Sequence, residues 1–185
     1  MFHILAFDSD RDDLVTVADY ELGGFDIVSF WRGSPLMTGI PESLRIYVDN
    51  DMKVLPDYMG NPLALPICSQ RFSEHLVSYA SSDIELHSAP LFRSGADERL
   101  GGYVMVNAVR KVPCLDVERS QVGYAQDGSL SAVFKYTIAS RKVPADMHIF
   151  RVAEHPYSIL FSDELAQSLR GKGMSGVAFI RARSA

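Results

Sequence analysis

Cysteine is scarce in this chain: Cys68 and Cys114 are the two thiols in 185 residues. They lie far apart, in no C-x-x-C arrangement, and each has apolar neighbours (LPICS and VPCLD). That argues against a disulfide scaffold and against a paired-cysteine metal centre. It reads as two buried thiols that pack as small hydrophobes. Histidine is sparse and scattered too: His3, His75, His87, His148 and His155 stand at neither H-x-x-x-H nor H-E-x-x-H spacing. A zinc motif is therefore missing. There is no G-x-S-x-G elbow and no P-loop. Catalytic, cofactor-binding and metal-binding residues are accordingly all expected to be none. No apolar run approaches the roughly 20 residues that a membrane span needs. The segment MFHILAFDSDRDD has no basic region and no small-residue cleavage site of the kind a signal peptide carries. The expectation is a cytoplasmic protein with no membrane partner.

What is present is enough apolar material for a core, 47% of residues, and a net charge of −5. The charge is uneven. Residues 1–60 carry eleven acids and four bases, whereas residues 141–185 carry seven bases and four acids. An acidic N-terminal third disfavours nucleic acid and suits a basic partner. The candidate partner-binding residues are Asp8, Asp10, Asp12 and Asp13, joined by Trp31, the single tryptophan, which would anchor an interface if exposed. At the end of an apolar run, Trp31 is better read as semi-buried.

Two motifs fail on context. Gly171-x-Gly173-x-x-Gly176 has the dinucleotide spacing, but it follows a helix and precedes a strand. Phosphate binding needs the reverse order, so these glycines read as a helix stop and a tight return. Asp8-x-Asp10-x-Asp12 with Asp19 copies part of a calcium loop. Asp13 stands where that loop requires glycine, and a strand replaces the entering helix. An acidic solvated turn is the better reading.

The pattern predicts an α+β fold of mostly antiparallel sheets with two main helices, about 69–80 and 163–170. Ser69 and Ser162 are placed as N-caps. Phe72, Leu76 and Tyr79 form one apolar stripe, Leu165 and Leu169 another. Strands are expected at 2–7, 25–31, 44–48, 84–87, 103–109, 132–139, 147–152, 158–161 and 176–180. The run YVMVNAV reads as a central strand buried on both faces, and Asp127-Gly128 as a hairpin turn. In the strand 132–139, Phe134, Tyr136 and Ile138 are expected on one face, with Lys135 and Thr137 on the other. Prolines and glycines punctuate 33–66. The chain divides into a β- and loop-rich part, 1–65, and an α+β module, 66–185, within one compact domain.

Two segments carry a family resemblance. HIFRVAEHPYSILFSDELAQSLRGKGMSGVAF resembles the C-terminal signature of immunity protein family eleven of bacterial polymorphic toxin systems, formerly a domain of unknown function. The matching residues are Phe150-Arg151, Ser162-Asp163, and Gly176, Val177 and Phe179. VNAVRKVPCLDVERS resembles the family's strand leading into a leucine-aspartate pair, here Leu115-Asp116. The resemblance implies an antidote that binds a cognate toxin and occludes it stoichiometrically, and it is not an enzyme. A second reading is a small enzyme or ligand-binding protein with a pocket assembled around His148 or His155. A third is a regulatory subunit acting as a homo-oligomer.

Overall fold

The computed structural model describes residues 1–49, 53–96 and 98–185. Asp51, one of the acids counted above, lies outside the described residues. In chain order the elements are β1 (Phe2–Phe7), β2 (Val17–Glu21), α1 (Ile27–Trp31), β3 (Arg45–Val48), β4 (Tyr58–Met59), β5 (Ile67–Ser69), α2 (Gln70–Ala80), β6 (Ile84–Ser88), β7 (Leu91–Arg93), β8 (Arg99–Leu100), β9 (Tyr103–Ala108) and β10 (Lys111–Val112). There follow β11 (Gln121–Tyr124), β12 (Leu130–Lys135), β13 (Thr137–Ile138), a 3-10 turn at Ser140–Lys142, β14 (Ile149–Val152), β15 (His155–Ser162), α3 (Asp163–Gly171), β16 (Val177–Arg181) and β17 (Arg183–Ser184).

The fold is α+β and mainly β. A five-stranded sheet runs β10-β14-β15-β1-β16, so the first strand lies between two of the last. Two four-stranded sheets run β4-β5-β9-β6 and β2-β3-β7-β8. A β11-β12 hairpin and a β13-β17 pair complete the described sheets. Most pairs are antiparallel; β3-β7, β10-β14 and β13-β17 are parallel.

Strand alternation distributes side chains among three apolar clusters. In β15, Ile159 and Phe161 face the cluster that holds Phe72, Leu76, Leu165 and Leu169 of α2 and α3. Leu160, between them, faces the cluster of Phe2, Val112, Cys114 and Phe150. The central strand β9 works the same way. Met105 joins the cluster of Phe30, Leu44, Ile46 and Leu65, while Val106 and Ala108 join the helix side. This is the two-faced burial expected of YVMVNAV.

Both main helices start where their serines predicted. Ser69 Oγ accepts from Phe72 N at 3.2 Å, and Ser162 Oγ from Leu165 N at 3.2 Å. Residues 171–176 behave as a helix stop and return. Gly173 and Gly176 take φ of 62° and 75°, and the chain then enters β16. Cys68 and Cys114 are free and buried.

Two expectations are corrected. The segment 25–31 is not a strand. Asp26 accepts from Ser29 N at 3.0 Å and caps the short helix α1, which turns Phe30 fully inward against Phe25. The cap and the buried phenylalanine outweigh the β-branched composition. The strand expected at 132–139 breaks at Tyr136. Phe134 stands 67% exposed on β12, whereas Tyr136, Thr137 and Ile138 are all buried. Beyond the break the chain leaves the hairpin and pairs with β17, so the single alternation does not carry through.

Candidate functional site

The acidic turn follows β1. Asp8 Oδ1 accepts from the Asp10 amide at 3.3 Å, a local bond of the kind aspartate makes in turns. Arg11 grips Asp13 with two bonds of 2.6 and 2.7 Å, and the bond from Arg11 holds the Asp13 carboxyl below the usual carboxylate range. Asp10 and Asp12 are exposed, with no ion pair among the described residues. The four aspartates thus share one turn, but one of them is neutralised from within it. Trp31 ends α1 and is half-buried. Its ring N–H donates to the Leu63 carbonyl at 2.8 Å. Phe7, the last residue of β1, sits against Gly60, and Trp31 bonds Leu63, so both reach the loop between β4 and β5.

The histidines are tied into structure. His155 Nδ1 lies 2.9 Å from the Tyr136 hydroxyl, which donates to Ser158 Oγ at 3.0 Å. Burial lowers the basicity of His155 and raises the Tyr136 pKa. Tyr136 thus stands between the imidazole and the serine. His148 bonds Ser162 Oγ at 2.9 Å through Nδ1 and packs its ring edge-on to Tyr79. Neither imidazole lines the 280 Å³ cavity described next.

Two charged centres escaped the reading of the sequence. The first is Asp57, which is buried. It accepts from Ser69 Oγ at 2.8 Å, from the Ser175 amide at 2.9 Å and from the Arg71 guanidinium. Burial alone would push this carboxyl up. The bonds from Arg71, Ser175 and Ser69 more than offset it and hold the pKa at about 2. Asp57 thereby ties the start of α2 to the loop after α3.

The second is Arg151, only 2% exposed. Its Nε donates to the Ala108 carbonyl at 2.8 Å, NH1 to Pro156 at 2.8 Å and NH2 to Phe30 at 3.4 Å. These carbonyls belong to the end of β9, to the start of β15 and to α1. No carboxylate pairs with it among the described residues. Burial lowers its pKa to about 10, so it still carries its charge at neutral pH. It lines a cavity of about 280 Å³ with Tyr58, Ser158, Asn61 and apolar residues of β1. The one signal in the sequence was an arginine inside the apolar run IFRV.

A family model, the Immunity protein family (Imm11), matches residues 8–184. The chain belongs to this immunity protein family. Among curated proteins none matches the chain. Two of the residues that carried the resemblance, Phe150 and Arg151, are a core side chain and the caged cation just described. Ser162 is the cap of α3, and Gly176 holds a positive-φ turn against the Tyr58 carbonyl. In this Imm11 chain Phe150, Ser162 and Gly176 serve architecture. Among the described residues, no helix is long and apolar enough to cross a membrane.

Proposed function

We propose that this Imm11 protein is the antidote of a cognate bacterial toxin, working in the cytoplasm as a stoichiometric binder without turnover. The match to an immunity family over residues 8–184 carries this reading. Further support comes from the surface. Tyr124 and Phe134, on the β11-β12 hairpin, are 58% and 67% exposed, and aromatic side chains of that kind contribute disproportionately to protein interfaces.

The toxin surface is basic where it meets the acidic turn. Asp10 and Asp12, free of internal pairing, attract it during encounter, and the exposed edge of Trp31 adds contact area. Asp13, already held by Arg11, contributes less. Charge–charge attraction of this kind raises association rates and weakens with salt. The two parts 1–65 and 66–185 act as one compact domain that presents this surface.

Co-expression with the toxin encoded beside it tests the proposal. The expected result is restored growth and a complex of one copy of each protein. Growth arrest despite abundant folded protein would overturn it. Light scattering of the protein alone separates this reading from a homo-oligomeric regulator, which would show a multiple of the 20.5 kDa chain mass.

A further inference from the structure

Arg151 presents a problem in electrostatics that its three carbonyls only partly solve. A guanidinium has five N–H groups. Three donate to Ala108, Pro156 and Phe30, which leaves two without a partner among the described residues. A charge removed from water is costly unless an opposite charge meets it, and no carboxylate among the described residues does so. The side chain is not sealed in a dry core. It forms part of the wall of a cavity of about 280 Å³.

One more donor reaches that wall. Burial raises the Tyr58 pKa, so its hydroxyl keeps its proton, and it has no hydrogen-bond partner among the described residues. The Ser158 hydroxyl, bonded to Tyr136, lies on the Leu160 face of β15 and takes no part. No acidic side chain lines the cavity among the described residues, and the amide group of Asn61 is spent on Met59 and Leu65. The remaining wall is largely apolar, with Leu5, Phe7 and Ile159 among its residues. The cavity therefore offers a cation and one hydroxyl donor, while the rest of its wall is hydrocarbon.

The geometry points to a binding site for a small carboxylic acid with a compact apolar body, its carboxylate against Arg151 and Tyr58. A planar carboxylate accepts parallel N–H bonds from a guanidinium and takes further bonds from hydroxyls. Size is permissive, because an engineered apolar cavity of about 150 Å³ holds benzene. This site is independent of toxin capture, and the purified protein alone suffices to test it.

The test is an NMR titration with benzoate, following the Arg151 Nε–H and the amides of residues 58–61 and 157–159. Benzyl alcohol, with the same ring and no charge, and inorganic phosphate, with charge and no ring, serve as comparison probes. Saturable shifts with benzoate, and binding of each comparison probe weaker by about tenfold or more, are expected. Tyr58→Phe removes the hydroxyl and leaves the Arg151 cage in place. It should weaken benzoate by about tenfold, the equivalent of one charge-assisted hydrogen bond. Arg151→Met should abolish binding, but it risks the fold, so Tyr58→Phe carries the test. Equal affinity for benzoate and benzyl alcohol would mean an apolar crevice without anion recognition and would overturn the assignment. So would no saturable shift with benzoate, or unchanged affinity in Tyr58→Phe.

Discussion

Asp57 shows how one buried carboxylate supports a structure. Its folded pKa of about 2 lies below the usual value near 4 of an unfolded aspartate. Its contribution is therefore fully present above that unfolded value and is lost as pH falls towards the folded one. The difference corresponds to about 2 kcal/mol. Asp57→Asn should lower stability by about that much at pH 7 and flatten the loss of stability between about pH 4 and 2. Urea unfolding across that range checks both; an unchanged acid limb would mean that Asp57 is not the titrating group. Gly33 makes a second prediction. At φ of 63°, an added Cβ would fall 2.4 Å from the Ala108 carbonyl oxygen and 2.7 Å from the Arg151 side chain. Gly33→Ala should destabilise by about 2 kcal/mol or more, because positive φ and overlap with backbone act together. A melting temperature within a degree or two of the parent would show that the cage around Arg151 has slack.

The two main helices were legible because their signals are local. Ser69 and Ser162 sit one residue before helices whose apolar stripes repeat every three to four positions. Helix α1 was not legible. FDIVSFW is as apolar as a strand, and its five-residue helix depends on the Asp26 cap and on burial of Phe30 against distant partners. The strand 132–139 misled for a related reason: register shifts in the hairpin leave Phe134 and Lys135 both exposed, and a change of sheet partner at Tyr136 cannot be seen in local pattern. For the candidate site, the acidic turn was visible as a run of aspartates, but the Arg11–Asp13 clamp that neutralises part of it was not. The cage of Arg151 joins residues 30, 108 and 156, a convergence that no window along the chain contains. The hairpin supplies the prediction at this scale. Phe134 is two-thirds exposed, so Phe134→Ala should change stability by less than about 0.5 kcal/mol. The same variant should weaken toxin capture by tenfold or more if the hairpin is an anchor. Chemical denaturation and surface capture measure the two effects separately, and undiminished capture would remove the hairpin from the interface.

At the scale of the molecule, the connections run between the two parts of the chain. Strand β1 lies between β15 and β16, β4 pairs with β5, and Asp57 bonds Ser175. The proposal of one compact domain therefore predicts a single unfolding transition, with circular dichroism and Trp31 fluorescence coinciding. Two separated transitions would divide the chain near 61–66. The central claim concerns what the molecule does as a whole, namely that it neutralises a toxin by covering it, with encounter guided by its acidic turn. The most direct measurement is the kinetics of binding to the co-encoded toxin for the parent and for an Asp10→Lys, Asp12→Lys variant across salt concentrations. The account predicts a one-to-one complex that blocks toxin activity, with an association rate that falls and loses its salt dependence when those two charges are reversed. A toxin that stays active when saturated with the protein, or that never forms a complex with it, would contradict the account.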